Sequence, residues 1–176
     1  AVLDKGEDFD ACVRTKGKVE HAHGYYVARM KLQKKAGHWP AFWLYNASQG
    51  TPGEGGKNGA EIDIMEKPWL DDRVAHTLHW DGYGKERASE GKTVEVPGLM
   101  EGWHDFAVWW SESEYVFYVD GKETWRSTAG GVCRVPNYIK LSDEIEFTGW
   151  AGDIRNESLP DSFQVDYVRV YDLKTK

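Results

Sequence analysis

An all-β fold of two packed antiparallel sheets is predicted by three features of the 176-residue sequence. Short runs rich in Tyr, Val, Ile, Phe and Trp recur between Gly, Pro, Asn and Asp, and no segment sustains a period of 3.6. The runs alternate in polarity, so each strand buries one face, and two sheets laid face to face bury them all. A chain of this length buries roughly 70% of the surface of its unfolded form, which fits one core and a single domain over residues 1–176.

The strands are read in order at 14–22, 24–33, 39–46, 60–66, 74–81, 93–97, 103–111, 114–120, 122–127, 138–147 and 162–173. Between the third and fourth lies Thr51-Pro52-Gly53-Glu54-Gly55-Gly56-Lys57-Asn58-Gly59, too glycine-rich for regular structure and therefore a loop. It is no phosphate loop, because Thr51 stands where that motif needs Gly and a strand follows where it needs a helix. Tyr115 to Val119 and Lys122 to Trp125 flank Asp120-Gly121, whose tolerance of positive φ suits a type I′ hairpin turn. In the last strand, strict alternation puts Phe163, Val165, Tyr167, Arg169 and Tyr171 on one face.

Composition narrows the function. A net charge of −7 with no Lys/Arg cluster speaks against nucleic acid and anionic membranes as partners, and there is no run of 18 apolar residues. The opening Ala1-Val2-Leu3-Asp4-Lys5 lacks the apolar core of a signal peptide, so the chain reads as a soluble, already processed piece. Nine Trp and nine Tyr exceed what a core of this size needs. Trp faces stack well on pyranose rings, so a polysaccharide is the expected partner and a monomer the expected state. Trp39 and Trp43, four apart on one strand, share a face. Cys12 and Cys133 fit no metal or redox spacing and are either one disulfide or two buried thiols. Asn46-Ala47-Ser48 and Asn156-Glu157-Ser158 are formal glycosylation sequons.

The strand Glu61-Ile62-Asp63-Ile64-Met65-Glu66 carries the chemistry. Alternation points Glu61 and Asp63 to one face, and Glu66 joins them if a β-bulge at Ile64-Met65 adds a residue. Acidic residues are depleted in strands and like charges on one face destabilise them, so three in six residues is a costly pattern without a use. Two such glutamates can converge to the ~5.5 Å gap of a retaining glycosidase. A calcium site of carboxylates is the next reading. His76 and His79, three apart, fall on opposite faces and cannot share a metal. His21 and His23 share a face but have no third ligand nearby, and no Gly-x-Ser-x-Gly or Cys-His arrangement suggests acyl transfer.

Gly37-His38-Trp39-Pro40-Ala41-Phe42-Trp43-Leu44, the acidic hexapeptide, Trp103-His104-Asp105-Phe106 with Trp110, Val119-Asp120-Gly121 and Val165 to Tyr171 resemble successive landmarks of glycoside hydrolase family 16. The bulged motif is more similar to the laminarinase, agarase and carrageenase side of that family than to its lichenase side. The resemblance implies a concanavalin-like β-jelly roll with a concave cleft, lacking one or more N-terminal strands that relatives carry before Arg14. It implies Glu61 as nucleophile, Asp63 as electrostatic helper and Glu66 as acid/base. It also implies a cleft lined by His79, Trp80, His104 and Trp110, with Asp166 as ligand of a structural calcium and no cofactor for catalysis. The activity so expected is retaining endo-hydrolysis of a neutral β-1,3- or mixed-linkage glucan by a secreted or periplasmic enzyme. An agar- or carrageenan-like galactan, or a noncatalytic binding module, are the alternatives.

Overall fold

The protein's structure is a computed structural model that describes residues 11–172. Among the described residues twelve strands form two antiparallel sheets: β1 (Ala11–Arg14), β2 (Glu20–His21), β3 (Gly24–Lys31), β4 (His38–Tyr45), β5 (Glu61–Glu66), β6 (Arg73–Trp80), β7 (Ala88–Glu95), β8 (His104–Trp110), β9 (Tyr115–Val119), β10 (Lys122–Ser127), β11 (Asn137–Ile145) and β12 (Gln164–Tyr171). One sheet runs β1-β11-β4-β5-β6-β7 with β2 beside β11, and the other runs β10-β9-β8-β3-β12. Their inner faces bury Tyr26, Met30, Phe42, Leu44, Ile62, Ile64, Met65, Phe106, Val108, Trp110, Tyr115 and Phe117, which together make one core. This is the expected all-β sandwich.

Four local expectations give way to the structure. The strand read at 14–22 is two short strands, because Thr15 turns the chain: its carbonyl accepts the amides of Lys18 and Val19, and Gly17 takes φ +72°. The strand read at 93–97 begins at Ala88, and its polar first half is an exposed edge with no apolar alternation to reveal it. The last strand does not alternate strictly, since the register slips between Val165 and Tyr167. Phe163, Val165, Val168 and Val170 therefore pack on the core, while Tyr167 turns outward to donate its hydroxyl to Asp105 at 2.9 Å. Finally, Cys12 and Cys133 are two free thiols, one exposed on edge strand β1 and one buried, so the disulfide alternative falls.

The loop before β5 is anchored rather than loose. Asp81, at φ +60°, accepts the amides of Gly53, Glu54 and Gly55 at 2.9, 3.1 and 2.8 Å. Asn46 is buried and caps a short 3-10 helix by accepting the Gln49 amide at 3.1 Å, which removes it as a glycosylation site.

Candidate active site

The outer face of the larger sheet carries a cleft. Strand β4 turns Trp39, Ala41 and Trp43 toward it, β11 adds Ser142 and Glu144, and β5 adds Glu61, Asp63 and Glu66; with Tyr83 these residues line a cleft of about 210 Å³. Phe42 pairs with Met65 but Trp43 with Asp63, so one residue is extra, and on the β6 side the register likewise slips between Asp63 and Glu66. This is the expected bulge at Ile64-Met65. It turns Ile62, Ile64 and Met65 into the core and all three carboxylates outward.

A bulge strips backbone groups of their ladder partners, and one of them is met by a side chain. His76, fully buried beneath β5, lies with Nδ1 2.8 Å from the Ile64 carbonyl oxygen and Nε2 2.9 Å from the Thr124 hydroxyl. Burial pushes the imidazole down to about 4, so it is neutral and suited to donate at one nitrogen and accept at the other. The sequence placed His76 and His79 on opposite faces, and so they are.

All three carboxyl groups sit in a medium that resists charge. Burial, opposed first by the Tyr83 hydroxyl, pushes Glu61 up to about 7, with Glu66 adding repulsion and Lys140 relieving it. Burial and the charges of Glu61 and Glu66 hold Asp63 well above the usual carboxylate range. Glu66 is raised by burial, with Thr77 and Trp39 acting against it. The partners are specific: Tyr83 donates to Glu61 Oε2, Thr77 donates to Glu66 Oε2 at 2.8 Å, and His79 Nε2 lies 3.4 Å from Asp63 Oδ2 and 4.0 Å from Glu61 Oε1. Burial and mutual repulsion act against all three ionising together. Carboxyl groups so opposed can keep one proton while another is ionised, which is the condition for paired proton donation and nucleophilic attack.

Trp39 and Trp43 line the cleft, and His79 stands beside its carboxylates. Three other expected cleft residues do neither. Trp110 is fully buried and donates its indole N–H to the Cys133 carbonyl at 3.0 Å, so it is core. His104 belongs to β8 in the opposite sheet, where its nitrogens lie 2.7 Å from Asp120 Oδ2 and 2.8 Å from the Glu101 carbonyl. Trp80 follows His79 by one residue and so faces the other way, against the core and beneath Gly130, where a Cβ would lie 2.5 Å from the indole. Asp166 is the extra residue of the β12 bulge, and its Oδ2 accepts from Arg29 at 3.3 Å. That guanidinium is the cation the described residues place beside Asp166. Among the described residues the one set of three His or carboxylate ligands within mutual reach is Glu61, Asp63 and His79.

Sequence reasoning missed Tyr83. The signal was the turn Asp81-Gly82, both at positive φ, directly after the strand that pairs with the acidic one. It lifts the next side chain over the cleft rim.

The sequence matches the model of the family described as glycosyl hydrolases family 16 over residues 3–169. A keratan-sulfate endo-1,4-beta-galactosidase of Sphingobacterium multivorum is 31% identical over 172 residues, which cover 92% of this chain and 39% of that protein. A glucan endo-1,3-beta-glucosidase A1 of Niallia circulans is 31% identical over 178 residues, covering 90% of this chain and 26% of that one. The chain thus spans well under half the length of these two curated relatives. The laminarinase catalytic domain of Thermotoga maritima superposes with a TM-score of 0.77 at 30% identity, covering 93% of this chain and 69% of that structure.

Proposed function

The chain belongs to glycosyl hydrolase family 16, and from that premise we propose that it is a retaining endo-β-glycosidase cleaving internal bonds of a β-1,3- or mixed-linkage β-1,3-1,4-glucan outside the cytoplasm. The observation that carries this reading is the β5 bulge, which aims Glu61, Asp63 and Glu66 into one aromatic-lined cleft. Glu61 attacks the anomeric carbon as a carboxylate. Glu66 protonates the departing glycosidic oxygen, then takes the proton of the water that releases the glycosyl-enzyme. The Tyr83 hydroxyl holds Glu61 in place and favours its ionised form.

A β-galactan backbone is the second reading, favoured by the keratan-sulfate endo-galactosidase among the relatives. A purely binding module has no use for three desolvated acids whose clustering costs stability. The test is proton NMR of the earliest product from a β-glycan of each class. The β-anomer is expected to appear first, and initial release of the α-anomer would show inversion and overturn the mechanism.

A further inference from the structure

Lys67, the residue after Glu66, is buried, although lysine is rare in a protein interior and its ammonium is costly to desolvate. Side chains alternate at the end of β5, so Lys67 points away from the cleft that Glu66 lines. It is pinned at both backbone and side chain. Its amide donates to the Pro40 carbonyl at 3.0 Å, its carbonyl accepts from the buried Gln33 side chain at 2.6 Å, and its ammonium donates to the Trp69 carbonyl two residues on. The last of these closes the turn Lys67-Pro68-Trp69. Burial pushes the ammonium down to about 8, with Asp71 opposing the fall, Arg73 adding to it and Asp72 opposing it.

What the turn aims is an aromatic wall. Trp69 packs edge to face on Trp150 with 5.1 Å between ring centroids, and Trp150 packs edge to face on Trp39 with 4.9 Å. The Arg73 guanidinium lies 4.6 Å from the Trp69 ring centroid. Trp150 is held through its neighbour Ala151, whose carbonyl accepts the Gly37 amide at 2.7 Å and whose amide donates to Glu146 at 2.8 Å. The wall ends at the acid: Trp39 lines the cleft with Glu66 and acts against the rise in its pKa. Pro40, the residue after Trp39, is the one that accepts the Lys67 amide. Lys67 therefore reaches the surroundings of Glu66 twice, through the backbone of β4 and through three indoles. An apolar side chain of similar volume would fill the space at a lower desolvation cost, but it could not close the turn.

We propose that Lys67 is a positioning residue for Glu66: by closing the turn that carries Trp69 it holds the Trp69–Trp150–Trp39 wall in place, and the wall fixes the Glu66 carboxyl where it meets the leaving group. Proton donation is sensitive to such placement, since a displacement of about 1 Å costs on the order of a hundredfold in rate. The inference rests on the reading of Glu66 as the acid/base and is independent of which sugar forms the backbone.

The experiment compares Lys67→Met with wild type on two substrates. One is the β-glycan that wild type cleaves, whose leaving group needs a proton; the other is an aryl glycoside of the same sugar with an acidic phenol, which departs without one. Lys67→Met is expected to lose about tenfold in kcat on the glycan with KM changed less than about twofold, and to release the first equivalent of phenol at nearly the wild-type rate. Glu66→Ala, measured beside it, sets the size of the full split between substrates. A side chain that only packs would lower Tm and slow both substrates alike, so equal losses on the two, or no loss on either, would overturn the proposal. Trp69→Leu keeps Lys67 and removes the first ring of the wall. It should show the same selective loss, and it decides the matter alone if Lys67→Met does not fold. A wild-type protein that cleaves no β-glycan, or a Glu66→Ala variant without the split, would overturn the reading of Glu66 on which the proposal rests.

Discussion

Glu61 has to be ionised to attack, yet its own surroundings push it up to about 7. The Tyr83 hydroxyl is the foremost group acting the other way, because a donor to a carboxylate favours the charged form. Removing it with Tyr83→Phe should raise Glu61 further and move the acidic limb of the kcat/KM profile to higher pH, so that activity falls more at pH 5 than at pH 8. A limb that stays in place, with KM raised instead, would show that the exposed Tyr83 ring serves the substrate and not the nucleophile. The roles of the two glutamates separate by leaving group. Glu66→Ala should lose about 10²- to 10⁴-fold on polysaccharide, where protonation is required. An aryl glycoside with an acidic phenol should still give a burst of phenol in that variant, followed by slow turnover that azide accelerates. Glu61→Ala should be inert on both substrates. Exchanged behaviours would reverse the assignment.

At the level of the element, the bulge is the device that decides whether β5 is a catalytic strand or an ordinary one. Its cost is an orphaned carbonyl, and His76 supplies the compensation from the core side at 2.8 Å. His76→Leu keeps the volume apolar but leaves the Ile64 carbonyl buried without a donor, which costs about 1–3 kcal/mol of stability. It should lower Tm and reduce kcat more than it raises KM, since Glu66 loses its footing while the binding face is untouched. An unchanged kcat with a lowered Tm would make His76 a core residue only. The acidic pattern predicted the bulge because Glu66 had to return to the face of Glu61. The second bulge, at Asp166, left no such trace: a strand of alternating Val, Tyr and Arg is compatible with either register until β3 pairs with it. The polar half of β7 was hidden for a related reason, since an exposed edge strand needs no apolar face to form.

Across the molecule, the cleft is bought with stability. Glu61, Asp63 and Glu66 all titrate above their ordinary values in the folded chain. Between the ordinary carboxylate range and these raised values the folded state holds protons that the unfolded chain has released, so stability falls as pH rises through that window. Glu61→Gln removes one such group. It should raise Tm at pH 8, where wild type carries the buried charge, and leave Tm nearly unchanged at pH 4, where Glu61 is protonated in both states; an equal gain at both pH values would mean that packing, not charge, is responsible. The sequence by itself determined the all-β class, the acidic strand, its bulge and the hairpin at Asp120-Gly121, because each follows from side-chain alternation or from residues that tolerate a particular φ. Alternation is local, and it also put Trp39, Trp43 and His79 on the outer face. Only the tertiary structure decided which sheet each strand joins, and therefore that Trp110 is core, that His104 faces away from the cleft, and that Tyr83 reaches Glu61. Those outcomes depend on pairings between residues far apart in the chain, and nothing in a single strand's pattern records which neighbour it will find or which face of that neighbour will be covered.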